Sequence, residues 1–299
     1  MMSAGDSHRT SESGDMPARH RLLMCAPDAY DLAYEINDWM SLQNRPDLKL
    51  AARQWRSLYE TLTGSLGVAV ELIPQMPGAP DMVFTANAGL IAGNRVLLAN
   101  FKHPERQVEV APFRAWFERN GYACVAPPPE FHFEGEGDAL YAGDTLVAGY
   151  LKRSDIQSHR WLSEQLGAPV LSVELVSGRW YHLDTAFFAL TPELVVYYPG
   201  AFDEYARIVL ERNFETIRVV EEEALQFACN AVVLGRDVVM PAGCPLIRGE
   251  LEARGYKVHP VELSEFLKSG GAAKCLVLFL DRQEAASQPA QSFQHMQAA

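Results

Sequence analysis

The sequence predicts an α/β fold in which five ββαβ-type units close into a ring. A hairpin signature repeats along the chain: FTANAGLIAGNRVLLAN from Phe84 and FACNAVVLGRDVVMPAG from Phe227 share Phe-x-x-Asn-Ala, an apolar run, a Gly-containing polar turn and a second apolar run. Copies follow one another at roughly 45–50 residues, the scale of a repeated supersecondary unit. Most are followed by an amphipathic stretch with helical periodicity and then by a short β-branched run.

In chain order, RLLMCAP reads as a strand, and DLAYEINDWM through ARQWRSLYETLTG as a helical region. The Phe84 hairpin leads into PERQVEVAPFRAWFERNG, a helix, and YACVAPP, a strand. GEGDALYAGDTLVAGY turns at Gly143-Asp144 and precedes SDIQSHRWLSEQLG and PVLSVEL. HLDTAFFALTPELVVYYPG turns near Pro192 and precedes DEYARIVLERNF and TIRVVEEE. The Phe227 hairpin precedes CPLIRGELEARG and YKVHPVEL, and the final KCLVLFL supplies a first strand alone. The N-terminal strand and helical region complete that last unit, which closes the ring. Chance similarity among hairpins of a doubly wound protein is the competing reading. Against it, every copy opens in register with a polar or nucleophilic residue: Asn87, Asp138, Asp184, Asn230 and Cys275. A ring brings equivalent positions together near its axis, so these five should share a central pocket.

The hydrophobic share of 48% and charged share of 21% are those of a soluble globular protein. No apolar run approaches the ~20 residues that span a bilayer. Residues 1–20 lack the apolar core of a signal peptide and read as a disordered leader, with Met16 as an alternative start. Residues 21–281 read as one catalytic domain and 282–299 as a flexible tail. The five scattered cysteines form no CxxC pair, which argues against a disulfide framework or structural zinc and for a reducing cytoplasm. A net charge of -12 argues against nucleic acid and suits a cationic small molecule. A homo-oligomer is compatible with the sequence.

Candidate chemistry follows the repeat. Cys275 lies after Gly270-Gly271 and beside Lys274, whose charge would favour a thiolate; a buried structural cysteine is the other reading. His182 and Asp184, two apart in YHLDT, share a face of an extended strand, and a His there can protonate a leaving amine and then activate water. FEGEGDAL gathers Glu134, Glu136 and Asp138, costly unless they face water or a cation. His132-x-Glu134 superficially matches a zinc deaminase, but no Pro-Cys-x-x-Cys follows, so metal hydrolysis is disfavoured. PGAPDMVFTANAG adds Asp81 and Asn87. Arg106 in HPERQ can hold a carboxylate bidentately or form an ion pair with Glu105 at a helix start.

Taken together and in order, PDMVFTANAG, HPERQ, FEGEGDAL, HLDT and GGAAKC resemble the guanidino-group-modifying enzyme superfamily: arginine deiminases, dimethylargininases, amidinotransferases and arginine dihydrolases. The resemblance runs from about Leu22 to Leu280 and implies the five-bladed α/β-propeller, or pentein, fold. It implies Cys275 as nucleophile, His182 as general acid/base and Glu134 as the carboxylate that orients the His. Family motifs usually read Glu-Gly-Gly-Asp where this chain has Glu-Gly-Glu-Gly-Asp; Glu134, which follows Phe, is favoured over Glu136. Asp138 and Asp184 resemble guanidinium ligands, while Asn37 and Arg106 resemble contacts to the amino acid end of the substrate. The implied reaction passes through a Cys amidino-thioether and needs no cofactor.

The main departure is Asn87, where ordinary deiminases hold Asp. Asn offers one acceptor and two donors, and its amide can donate to the oxygen of a neutral ureido group. Relatives with Asn here resemble arginine dihydrolases, so arginine is expected to pass citrulline and reach ornithine. A dimethylargininase is the nearest rival, then an amidinotransferase; an arginine sensor would have no need of Cys275.

Overall fold

A computed structural model describes residues 20–281. The expected leader, apart from His20, and the expected tail lie outside the described residues. Within them the chain forms five three-stranded sheets, and each has the same pattern: an antiparallel pair with a third strand parallel to its second member.

Strand β1 (Arg21–Cys25) pairs in parallel with β2 (Ala69–Ile73) across helix α1 (Leu48–Glu60). Hairpin β3 (Gly89–Ala92) and β4 (Arg95–Leu98) continues through α2 (Pro104–Gln107) and α3 (Val110–Arg119) to β5 (Ala123–Val125). Next come β6 (Ala139–Ala142), β7 (Thr145–Tyr150), α4 (Ile156–Leu166) and β8 (Val170–Glu174). The fourth sheet has β9 (Phe187–Ala189), β10 (Leu194–Tyr197), α5 (Glu204–Asn213) and β11 (Glu215–Arg218). After α6 (Glu221–Ala224) follow β12 (Val232–Leu234), β13 (Asp237–Pro241), α7 (Pro245–Ala253) and β14 (Lys257–Val261). Beyond α8 (Ser264–Leu267), the last strand β15 (Leu278–Phe279) pairs antiparallel with β1, Leu22 opposite Phe279. The chain is thus a five-bladed α/β-propeller closed by its two ends, as the unpartnered KCLVLFL strand led one to expect.

Local chemistry explains the units. In three hairpins a two-residue loop begins with glycine at positive φ: Gly93 at 61°, Gly143 at 58° and Gly235 at 65°. That left-handed first position is what a tight II′ hairpin turn needs, and it is the turn signal seen in the repeat. Helices pack one stripe inward: Ala51, Trp55 and Leu58 on α1, Phe113, Trp116 and Phe117 on α3. Burying each large side chain contributes about 1.5–3 kcal/mol. The opposite faces stay polar, so the apolar clusters lie between sheet and helix while the polar strand entrances are left for the ring centre.

One expected element is corrected. The segment DLAYEINDWM is not helical. Asn37 Oδ1 accepts the backbone N–H groups of Trp39 at 2.9 Å and Met40 at 3.3 Å, and this local capture competes with helix bonding. The helix starts only past Pro46, where the Asp47 carboxylate caps the Leu50 N–H at 3.0 Å. The long PERQ…ERNG helix is likewise split in two, with Glu109 at the junction.

Candidate active site

Of the five equivalent positions expected to share a pocket, Asn87 and Cys275 line one cavity, Asn230 and Asp184 bond to Cys275 behind it, and Asp138 lies outside its lining. Cys275 N–H donates to Asn230 Oδ1 at 3.1 Å, and Asn230 Nδ2 donates back to Cys275 Sγ at 3.1 Å. The thiol donates to Asp184 Oδ2 at 3.1 Å. Burial, reinforced by the Asp184 charge, pushes the thiol well above its ordinary value, so it is protonated in this state. Asp184 is itself pushed up to about 6 by burial, against the pull of Lys274, Cys275 and Asn230. Lys274 does not activate the thiol by direct contact as expected. Its Nζ is bound to Glu136 at 3.0 Å and to the Val277 carbonyl at 3.3 Å.

His182 Nε2 lies 2.7 Å from Glu134 Oε2. The same carboxylate accepts Arg153 Nη1 at 3.3 Å and the Lys102 N–H at 3.0 Å. Burial opposes the charge on Glu134, but Arg153 and His182 outweigh it and hold the carboxyl well below the usual range. Burial also pushes His182 down to about 4, although Glu134 raises it. A neutral imidazole therefore donates Nε2–H to Glu134, leaving Nδ1 for a reacting group.

The extra residue in Glu-Gly-Glu-Gly-Asp forms a tight turn that parts the two glutamates. Glu134 goes to His182, whereas Glu136 goes to Lys274. Both glycines are required. Gly135 sits at φ 60°, and a Cβ there would stand 2.7 Å from the Ala86 carbonyl. A Cβ on Gly137 would stand 2.1 Å from Asn87 Nδ2 and 3.3 Å from His182 Nδ1. The missing side chain lets Asn87 and His182 approach one another.

Cys275, His182, Asn87, Arg106, Arg153 and Asp81 all line one small cavity, about 10 Å³, and Ile36, Asn37 and Met40 of the Asx-turned segment line it too. That volume holds about one water. Asn37 Nδ2 donates to the Ser269 carbonyl at 3.1 Å, which ties the segment to the approach to Cys275.

Two expected substrate contacts sit differently. Asp138 does not line the cavity: its oxygens accept Ser154 Oγ at 2.6 Å and Leu183 N–H at 3.1 Å. Ser154 Oγ accepts the Glu134 N–H at 3.0 Å, so Asp138 braces the His182 turn against the Glu134 segment. Asp184 meets the cavity only through Cys275. The Arg106 fork, expected to hold a carboxylate, is occupied by Glu109, with Nε and Nη2 each 2.8 Å from a Glu109 oxygen. Nor does Arg106 pair with Glu105. Its Nη1 donates to Asn87 Oδ1 at 2.8 Å, and Nη2 to the Asp81 carbonyl at 3.2 Å.

Arg153 was missed by sequence reasoning. It lies 3% exposed, donating to the Ile36 carbonyl at 2.9 Å and covering the Tyr181 ring at 4.5 Å. A signal was available, since in two successive units a basic residue follows the second hairpin strand, Arg106 after β4 and Arg153 after β7. Asp81 accepts Tyr34 Oη at 3.0 Å through Oδ2, while its buried Oδ1 has no hydrogen-bond partner among the described residues.

Residues 35–281 match the family described as N,N dimethylarginine dimethylhydrolase, eukaryotic. The chain belongs to the dimethylarginine dimethylhydrolase family. Within it and its relatives, the chain is 43% identical over 264 residues to the bifunctional arginine dihydrolase/ornithine cyclodeaminase ArgZ of Synechocystis sp., which covers 86% of this chain and 37% of ArgZ. It is 39% identical over 263 residues to the N(G),N(G)-dimethylarginine dimethylaminohydrolase of Mycobacterium tuberculosis, covering 88% of this chain and 86% of that protein. The crystal structure of the N-terminal domain of ArgZ bound to product superposes with a TM-score of 0.85 at 42% identity, covering 89% of this chain and 98% of that one. This family member therefore spans less than two fifths of the length of the bifunctional relatives.

Proposed function

We propose that residues 21–281 form the catalytic domain of an arginine dihydrolase, which hydrolyses the guanidinium group twice and releases ornithine, ammonia and carbon dioxide. The reading rests on one observation above all: Cys275, His182 and Asn87 line the same cavity. The 43% identity to ArgZ supports it.

The groups supply the chemistry as follows. A guanidinium is a delocalised cation and a poor electrophile, so it must be oriented and its charge met. Asp184, in contact with the thiol, answers that charge as the cation arrives, and the cation in turn favours loss of the thiol proton. The buried free oxygen of Asp81 suits the substrate ammonium, and the remaining donors of Arg153 suit its carboxylate. Cys275 gives its proton to His182 Nδ1 as Sγ attacks the guanidinium carbon, and His182, oriented by Glu134, passes that proton to the departing nitrogen, which leaves as ammonia. Water deprotonated by His182 attacks the amidino-thioether, and collapse expels the thiolate to give citrulline. A second attack on the ureido carbon releases ammonia again, and water then frees a carbamate that breaks down to carbon dioxide and ornithine. The ureido oxygen needs a donor, and Asn87 has only its N–H₂ to offer because Arg106 occupies Oδ1.

Dimethylarginine hydrolysis is the second reading, favoured by the family match and the Mycobacterium tuberculosis relative. Mass-spectrometric product analysis with arginine, dimethylarginine and citrulline offered separately tests both. Ornithine from arginine supports the first; a stoichiometric stop at citrulline, with dimethylamine from dimethylarginine, supports the second. No helix among the described residues is long and apolar enough to cross a membrane. Five unpaired cysteines fit a reducing cytoplasm, where we place the protein.

A further inference from the structure

We infer that Glu109 is a positioning residue which, through Arg106, holds the Asn87 amide with its N–H₂ toward His182 and so determines how far the reaction proceeds. The inference rests on the two-round reading proposed above. Its starting point is a chain of contacts, Glu109 to Arg106 to Asn87, in which every member is buried.

An amide side chain has two nearly isosteric ends, and only its partners decide which end faces which way. Arg has five N–H donors and no acceptor. The Asn87 atom 2.8 Å from Arg106 Nη1 must therefore be the oxygen, and the nitrogen takes the other side. On that side the contacts agree: the position of a Gly137 Cβ is 2.1 Å from Asn87 Nδ2 and 3.3 Å from His182 Nδ1. Among the described residues, a single long bond of 3.4 Å to the Glu134 carbonyl engages this nitrogen. Asn87 thus presents a donor where a ureido oxygen would lie. Flipped, it would present an oxygen that repels the ureido oxygen and suits a guanidinium instead.

Arg106 holds that orientation only while it stays beside Asn87. A competitor is close, because Arg106 Nη2 already touches the Asp81 backbone carbonyl at 3.2 Å and the Asp81 side chain has a buried oxygen without a partner. A bare guanidinium would turn to that carboxylate. Glu109, wholly buried and bidentate to Nε and Nη2, prevents this and fixes the plane of the fork. An ion pair serving stability alone could use these two residues anywhere. Here the remaining Arg106 donors reach two residues that line the cavity, Asn87 and Asp81.

The test compares kcat/KM for arginine and for citrulline, offered separately, in the parent protein and in Glu109→Gln. A glutamine opposes one Arg106 donor with an N–H₂, which frees the fork and lets Asn87 turn. Citrulline hydrolysis should then fall about tenfold or more beyond any fall in arginine hydrolysis, the consequence of one lost hydrogen bond in a desolvated site. Citrulline should also accumulate when arginine is the substrate. Both substrates share the amino acid end, so disturbance of Asp81 cancels in the ratio. A merely structural role would lower the melting temperature and reduce both rates by one factor; an unchanged ratio overturns the inference. If Glu109→Gln does not fold, Glu109→Asp carries the same test. It keeps the charge but is one methylene short, and a smaller shift in the same direction is expected, with an unchanged ratio again overturning the inference. A parent that stops at citrulline overturns the two-round reading and this inference together, a failure visible before any variant is made.

Discussion

Glu134→Gln tests the proposed role of Glu134 as the carboxylate that orients His182. In the parent, three donors meet two oxygens: Lys102 N–H at 3.0 Å on Oε1, Arg153 Nη1 at 3.3 Å and His182 Nε2 at 2.7 Å on Oε2. Glutamine replaces one oxygen with an N–H₂, and neither placement is free of conflict. Facing Lys102, the amide sets two donors against each other in a site with no solvent access, at about 1–3 kcal/mol for an unsatisfied buried group. Facing His182, it forces Nε2 to become the acceptor and moves the ring proton to Nδ1, the nitrogen needed for proton transfer. A wrong tautomer lowers turnover by a factor on the order of 10⁴ in the analogous Ser–His–Asp arrangement. Arg153 meanwhile loses its buried counter-ion, adding about 3–5 kcal/mol of destabilisation. Arginine turnover should therefore drop by roughly 10³–10⁴-fold, in protein that still unfolds cooperatively at a lower temperature. The assay is single-turnover product formation followed by mass spectrometry, alongside thermal unfolding. A folded variant that retained more than about a tenth of parental turnover would refute the assignment of Glu134 as the partner that orients His182.

Asn87→Asp should shift the product of arginine toward citrulline, because a carboxylate repels the ureido oxygen; product ratio by mass spectrometry checks it. kcat/KM for arginine should fall as pH drops through about 6, where Asp184 gains a proton. The stability consequence has the opposite sign, since a carboxyl raised from 3.8 to about 6 favours the folded state below 3.8 and loses that contribution as pH rises through about 6. Lys274→Met leaves Glu136 buried without its partner, so about 3–5 kcal/mol of stability should be lost in denaturant titration. The acid limb of the arginine profile should also move up, because the Lys274 charge holds Asp184 down. Gly137→Ala places a Cβ 2.1 Å from the Asn87 amide, and overpacking of this kind costs about 1–3 kcal/mol. Its melting temperature should drop, and citrulline hydrolysis should suffer more than arginine hydrolysis.

The ring was legible because its cause is local and repeated. Three hairpins state their turns with a Gly at positive φ, the strands are written as apolar runs, and a shared period implies shared geometry without any long-range information. That the residues just ahead of each first strand face the ring centre followed from symmetry alone. Symmetry says nothing of which way each side chain turns, and there the reading failed: Asp138 faces Ser154, and Lys274 faces Glu136. The segment around Asn37 was read as helix because its apolar spacing is helical, yet one side-chain amide diverts two backbone donors from helix bonding. Asn87 shows most clearly where the boundary lies. That it is Asn rather than Asp can be read from the chain, and it suggests a ureido partner. Whether it offers a donor or an acceptor depends on Arg106, nineteen residues on and across a helix start, and on Glu109, which carries no motif. Identity is a property of sequence, whereas the orientation of an amide belongs to its buried neighbours. For this site the second matters chemically as much as the first, since a flipped Asn87 presents the same oxygen that an Asp would.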